Sequence, residues 1–167
     1  MILYHGSNMA VTEPEIRQSL RGLDFGEGFY LSASEEQGQK FAFIVRNRAI
    51  KYKKEPVGIA TVSVFEFDDK DLDALSIRTF PKADGDWLTF IHKNRRKTYA
   101  GEGCDLCVGP TANDDVFATI QLFESGVLDF EGALRALKVY KLQDQYCFKT
   151  QKALGYLHFL RSYTMEG

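Results

Sequence analysis

The sequence predicts a single α+β domain over residues 1–167, in which short strands of a mostly antiparallel sheet are scattered between helices. The 167-residue length suits one domain with its own hydrophobic core. Hydrophobic residues make up 44% of the chain and charged residues 26%, which is ordinary for a globular protein. Segments with strand and helix patterns follow one another without the regular alternation that a parallel sheet requires.

The N-terminal elements are short and rich in glycine. Residues 2–5 predict a strand that ends at the Gly6-Ser7 pair, and residues 12–20 predict either a short helix or an irregular loop. Residues 22–32 contain three glycines and then apolar residues, which predicts a loop that enters a strand.

A helix is predicted over residues 34–48. Ser34 is a suitable N-cap, and Glu35 and Glu36 stand in the first turn, where the helix dipole favours acidic residues. Four residues then recur at helical spacing: Phe41, Ile44, Val45 and Arg48. Residues 57–67 alternate and are rich in β-branched and aromatic residues, which predicts a strand.

The rest of the chain mixes helices and strands. Helices are predicted over residues 86–96, 114–124 and 130–139, and strands over residues 105–108, 145–148 and 157–163. Gly126 follows the second of these helices and Asp129 caps the third. Thr150 caps a short helical turn that ends at Leu154.

Composition and charge exclude several classes of protein. The net charge is −2 and the pI about 5.9, so the chain lacks a global attraction to nucleic acid or anionic membrane. No apolar run could span a membrane, and no signal peptide is evident. Three cysteines are too few for a disulfide framework, so we expect a cytoplasmic location and no membrane partner.

Some motifs with known chemistry are incomplete. Cys104 and Cys107 have C-x-x-C spacing, but a zinc site needs four ligands and only Cys147 remains, so we expect buried cysteines and no metal. Residues 26–31 begin like a dinucleotide fingerprint but lack its third glycine and precede a strand. The basic clusters at 51–54 and 93–97 are best interpreted as solvated surface; the alternative is a docking patch for an acidic partner or nucleic acid.

Three motifs stand in an informative order. Leu3-Tyr4-His5-Gly6-Ser7 comes first, then residues 25–32 with a glycine-flanked Tyr30, and near the C-terminus residues 144–148. Together they resemble the NAD-binding core of the His-Tyr class of ADP-ribosyltransferases, to which poly(ADP-ribose) polymerases and diphthamide-modifying toxins belong. Residues 24–32, 104–115 and 145–159 are similar to a bacterial family within the same superfamily.

The resemblance implies a split sheet and a role for each motif residue. The catalytic residues it implies are His5, Tyr30 and Gln145, and the NAD-binding residues are His5, Gly6, Ser7, Gly28, Tyr30, Ser32 and Phe41. By resemblance, the Gly6 backbone binds the nicotinamide amide, and the rings of Tyr30 and Phe41 sandwich the nicotinamide. His5 binds the adenosine ribose, and Ser7 and Ser32 add polar contacts.

Gln145 departs from the resembled pattern, in which this position is commonly Glu. A glutamine keeps hydrogen-bonding capacity but has no charge and cannot act as a base. We therefore expect weaker stabilisation of the positive charge that develops on the ribose, and no polymer synthesis. Asp114 and Asp115 are alternative bases or, more simply, caps of the following helix, and Glu27 is a further candidate.

The function implied by the resemblance is transfer of a single ADP-ribose group from NAD to a protein or nucleic-acid acceptor, with release of nicotinamide. NAD is then a co-substrate, and no metal takes part. Two alternatives stay open. One is a weak or inactive module that binds NAD or ADP-ribose, or serves as an interaction domain. The other is an NAD glycohydrolase, in which water is the acceptor.

Overall fold

The computed structural model describes residues 1–17, 22–96, 103–112 and 114–167. These residues form an α+β fold with one seven-stranded sheet and five helices. The strands are β1 (Ile2–Ser7), β2 (Phe29–Ser32), β3 (Thr61–Phe67), β4 (Ile77–Thr79), β5 (Leu106–Pro110), β6 (Asp144–Phe148) and β7 (Leu157–Thr164). The helices are α1 (Glu35–Lys51), α2 (Gly85–Arg95), α3 (Asp114–Glu124), α4 (Phe130–Leu137) and α5 (Gln151–Leu154).

The sheet order is β4-β5-β6-β2-β1-β3-β7, and the strands pair antiparallel except for the parallel pair β4 and β5. This confirms the predicted α+β class with a mostly antiparallel sheet. Strand β1 pairs along its length with β3 but meets β2 in register only at Tyr4 and Ser32. The paired stretch between β1 and β2 is therefore short, and it lies next to the predicted site residues.

Helices cover one face of the sheet in two separate groups. Helix α1 packs on β1 and β3 over small residues such as Ala42 and Ala60. Helices α2, α3 and α4 form a core over β5 and β6 around Trp87 and Ile120. Strand β2 lies between the two groups. The opposite face of the sheet is covered by α5 and by loop residues such as Leu75.

The predicted helix caps are confirmed. The side chains of Ser34, Asp129 and Thr150 each accept the backbone N–H of the residue three positions later, at 3.3, 2.7 and 3.2 Å. Helix α3 has its predicted bounds, and Gly126 follows it with a positive φ of 81°. Helix α4 ends at Leu137, two residues earlier than predicted.

The strands differ more from the prediction. Strand β1 continues through Gly6 and Ser7, because β3 pairs with both residues. Strand β3 starts at Thr61 rather than residue 57, because the preceding segment bonds to the end of β1 through Ile59 N and Asn8 O, 2.9 Å apart. Strand β5 likewise includes Gly109 and Pro110. Strand β4 was not predicted, since three residues at a sheet edge are too short for an alternating pattern.

The face of α1 that contacts the sheet consists of small residues. Phe41 and Ile44 are each 43% exposed, whereas Gly38, Ala42 and Ala49 are buried. The helix packs so closely on β1 that only small residues fit between the two backbones.

Two further expectations concern other segments. The described part of the 12–20 segment, residues 12–17, contains no helix, and the remainder lies outside the described residues. Within the described ranges, no helix is both long and apolar enough to cross a membrane.

Candidate functional site

The three strands that carry the predicted catalytic residues lie side by side in the order β6, β2, β1. Ser32 pairs with Gln145, and Tyr30 pairs with Cys147. Paired residues of antiparallel strands project from the same face, and so do residues two apart on one strand. Tyr30, Ser32 and Gln145 therefore share the sheet face between α1 and the α2–α4 group. We call this region the β2 cleft.

His5 occupies the gap where β1 and β2 separate. Its Nδ1 atom lies 2.7 Å from Tyr30 O, and its ring stacks on Phe29 with centroids 4.2 Å apart. The alternation of β1 directs His5 toward the face of Phe29, opposite to the face of Tyr30 and Gln145. His5 thus joins the site at the strand gap and does not lie beside Gln145.

His5 is half-buried, and desolvation of its ring sets its protonation state. Desolvation lowers its pKa to about 4, against a smaller raising effect of the hydrogen bond to Tyr30 O. The imidazole is therefore neutral near pH 7. Because a carbonyl can only accept, Nδ1 carries the hydrogen and Nε2 is left as an acceptor. A neutral imidazole of this tautomer suits a hydroxyl donor such as a ribose hydroxyl.

The hydroxyl of Tyr30 is committed to the protein. It accepts the N–H of Phe25 at 3.1 Å and donates to Gly26 O. Burial raises the pKa of Tyr30 well above its usual value, with a smaller contribution from Cys147, so the phenol stays neutral. The ring of Tyr30 packs partly buried against the α2–α4 core, so only its remaining exposed surface can serve a ligand.

Gln145 holds the clearest unmet polar group of the cleft. The residue is 9% exposed, and its Nε2 atom is buried with no hydrogen-bond partner among the described residues. Its neighbour Ser32 is buried too, and there Oγ accepts the N–H of Ser34 at 3.0 Å. A buried amide that lacks a partner costs about 1–3 kcal/mol, so this position favours a ligand that brings an acceptor.

Close packing explains why the motifs have glycine at positions 6 and 28. A Cβ on Gly6 would lie 2.1 Å from Gly38 O, and a Cβ on Gly28 would lie 2.5 Å from Cys147 Sγ. Real Cβ contacts are never so short, so the fold itself requires both glycines. Their lack of a side chain is therefore no evidence for a ligand.

Ser7 and Phe41 are set apart from Tyr30, Ser32 and Gln145, because Ser7 projects to the same sheet face as His5 and Phe41 lies on α1. Phe41 is 43% exposed, lies on α1 next to Gly6, and has no aromatic contact within the described ranges. Such an exposed ring is free to cover a flat ligand. Ser7 is half-buried at the end of β1, where its hydroxyl lies 3.4 Å from Asn8 Oδ1.

The candidate bases are less well supported. Asp115 is exposed in the first turn of α3, and its carbonyl accepts the hydroxyl of Thr119 at 3.3 Å. Asp114 begins the same helix, and its side chain lies outside the described part of the structure. Glu27 is exposed in the loop before β2. No described hydrogen bond joins these residues to Gln145.

Sequence reasoning missed two residues near the site. Burial raises the pKa of Asp144, which precedes Gln145 but projects to the other face of β6. Lys149 follows β6 and donates to the carbonyls of Phe25 and Glu27. Proximity in sequence to Gln145 was the one available indication for both, because neither belongs to a recognisable motif.

The cysteines are buried, as predicted. Cys107 and Cys147 face each other across β5 and β6. Desolvation raises the pKa of both thiols, that of Cys147 to about 12. Neither is therefore an effective nucleophile near pH 7, because the thiolate is the reactive form. They belong to the core under α2–α4.

One depression and two basic clusters lie elsewhere. An open depression of about 310 Å³ is lined by Met1, residues 66–70 and His158, none of which was predicted to bind NAD. The basic residues of 51–54 are exposed, as the simpler interpretation held. The described part of 93–97 is mixed, since Asn94 is buried and Arg95 pairs with Glu124 at 3.5 Å.

One family of known proteins matches almost the whole chain. The model of a family described as "Protein of unknown function (DUF3990)" matches residues 1–159. The chain belongs to this family. The matched region runs from β1 into β7 and includes every residue of the β2 cleft. A comparison with the curated proteins finds no match.

Proposed function

We propose that the chain binds NAD in the β2 cleft and transfers ADP-ribose to a protein or nucleic-acid acceptor. The resemblance of the His5, Tyr30 and Gln145 motifs suggests this chemistry. The adjacency of β1, β2 and β6 supports it, because the three motifs are distant in sequence and contribute to one region. The bond between nicotinamide nitrogen and ribose C1′ breaks, with its electron pair leaving on nicotinamide. A nucleophile of the acceptor then bonds to C1′ and loses a proton.

The chain's residues divide this task. The rings of Tyr30 and Phe41 hold the nicotinamide, and each aromatic contact contributes about 0.5–1.5 kcal/mol beyond burial. The neutral His5 accepts a ribose hydroxyl through Nε2. Gln145 donates to a ribose oxygen through Nε2. Since a carboxamide takes no proton, the proton that the nucleophile loses passes to water or to another group of the acceptor.

One observation carries the proposal. Gln145 Nε2 is buried in the β2 cleft, and none of the described residues is its hydrogen-bond partner. Native proteins pair such groups in the great majority of cases, and an unpaired one calls for a reason. A bound sugar oxygen supplies that reason.

Calorimetry with NAD tests the binding step. We expect heat of binding at millimolar NAD, and a loss of about tenfold or more in affinity in Tyr30→Ala, in keeping with removal of a central aromatic contact. Tyr52→Ala is the matched control, because Tyr52 is a 59% exposed tyrosine outside the cleft. A folded wild-type sample that gives no heat, or equal losses in the two variants, would refute NAD binding at this site.

A non-catalytic binding module is the second candidate, and the neutral Gln145 favours it. Labelled NAD and a cell lysate separate the two candidates. Transfer predicts label on a macromolecule that disappears in Tyr30→Ala, whereas a binding module retains unreacted NAD. Release of nicotinamide without a labelled product indicates hydrolysis by water.

Gln145→Glu tests the electrostatic part of the mechanism. A carboxylate here faces the positive charge that develops on the ribose, so we expect nicotinamide release to rise by at least about tenfold. The affinity for ADP-ribose, which carries no pyridinium charge, should not rise in parallel. Gln145→Leu is the control and should weaken both ligands. Unchanged turnover in the Gln145→Glu variant would show that Gln145 does not belong to the site.

A further inference from the structure

Residues 25–27, the loop that precedes β2, are held from two sides. On one side the hydroxyl of Tyr30 bonds to the N–H of Phe25 and to the carbonyl of Gly26. On the other side the ammonium of Lys149 donates to the carbonyls of Phe25 and, at 3.2 Å, Glu27. Four polar groups of three consecutive residues thus bond to only two side chains.

The geometry of this loop leaves little room for another arrangement. Gly26 has a φ of 80°, which glycine adopts without strain. A Cβ at Gly26 would lie 2.9 Å from Lys149 Nζ and 3.1 Å from Asn94 Oδ1. Asn94 is itself buried and fixed, because its Nδ2 donates to Phe90 O at 2.9 Å. The loop is therefore enclosed between Lys149, Asn94 and Tyr30.

Lys149 is itself fixed to the sheet. It directly follows β6, and its backbone N–H donates to Asp105 O at 2.8 Å. Hydrogen bonds from an ammonium to carbonyls are charge-assisted and about twice as strong as neutral ones. Because Lys149 is fixed to the sheet, its hydrogen bonds fix residues 25–27. These residues in turn hold the hydroxyl of Tyr30.

We propose that Lys149 is a positioning residue that fixes the ring of Tyr30, through residues 25–27, in the orientation that stacks on the nicotinamide. This inference rests on the proposed function, because it supposes that Tyr30 contacts NAD. Lys149 acts through the loop and makes no contact with the ligand.

Lys149→Met removes both bonds of the ammonium while keeping the aliphatic part of the side chain. Together with Tyr30→Phe, which removes the two bonds of the hydroxyl, it forms a double-mutant cycle measured by NAD affinity. Each single variant should weaken NAD binding by about tenfold, and the double variant by little more than either one, because coupled residues are not additive. Lys149→Arg, which can donate to both carbonyls, should restore most of the affinity.

Lys152→Met is the matched control. The ammonium of Lys152, three residues later, also donates to a backbone carbonyl, that of Ala74, but far from Tyr30 in the fold. Hydrogen exchange of the amides at residues 25–30 supplies a readout that does not depend on NAD. We expect faster exchange at residues 25–30 in Lys149→Met. In Lys152→Met the exchange rate of this segment should equal that of the wild type.

The outcomes are distinguishable. If the wild-type protein binds no NAD, the proposed function fails, whatever the exchange data show. If the wild type binds NAD and Lys149→Met binds it equally well, or if the two losses add, Lys149 does not position Tyr30. Unchanged exchange at residues 25–30 in Lys149→Met likewise overturns the inference.

Discussion

The half-buried, desolvated imidazole of His5 should make the stability of the protein depend on pH in a defined range. Desolvation lowers its pKa from 6.5 to about 4 in the folded state. Protonation therefore favours the unfolded chain. The contribution of the neutral imidazole is complete above the unfolded value of 6.5 and is lost as the pH falls toward 4.

The size of the effect follows from the two pKa values. Each pH unit between them costs about 1.36 kcal/mol. Between pH 7 and pH 5 the protein should thus lose about 2 kcal/mol of unfolding free energy through His5 alone. That range lies above the pKa of ordinary carboxyl groups, which limits their contribution.

Urea denaturation of the wild type and of His5→Asn measures this loss. The Asn amide can still donate to Tyr30 O but does not titrate. Between pH 7 and pH 5 the wild type should lose about 2 kcal/mol more than the variant. His158→Asn, which changes an exposed histidine, should behave like the wild type. Parallel pH dependence of wild type and His5→Asn would show that His5 is not desolvated.

The remaining stability predictions concern packing and capping. Gly6→Ala should lower the thermal midpoint steeply or prevent folding, because its Cβ would meet the carbonyl of Gly38 at 2.1 Å. Gly103→Ala should be neutral, because a Cβ there meets no described atom within 4 Å beyond its chain neighbours, and equal midpoints would refute the close contact at Gly6. Asp129→Ala should cost about 1 kcal/mol of unfolding free energy in urea, because the N-cap bond to Gly132 N is lost. A loss below about 0.3 kcal/mol would mean that this cap contributes little to α4.

Elements with chemical end signals could be predicted from the sequence. Ser34, Asp129 and Thr150 are caps whose side chains accept a specific N–H, so their local chemistry specifies where a helix begins. Strand ends depend instead on the partner strand. Gly6 belongs to β1 because Val62 of β3 pairs with it, and the residues next to Gly6 in the sequence give no indication of this pairing.

The candidate site divides in the same way. The order of the motifs predicted which residues to consider, and β1, β2 and β6 are adjacent. The sequence did not reveal that His5 projects away from Gln145, because that depends on strand register. Nor did the sequence reveal which face of α1 contacts the sheet, since helical spacing cannot show that the sheet approaches on the small-residue side.

The position of β6 in the sheet has a consequence for synthesis of the protein. β6 is made late in the chain, yet it inserts between β5 and the early strand β2. A ribosome-bound chain that ends before Asp144 lacks β6 and with it Gln145. Such long-range pairing also folds slowly. Under the proposed function, a chain truncated before Asp144 is therefore expected not to bind NAD, because it lacks β6 and Gln145.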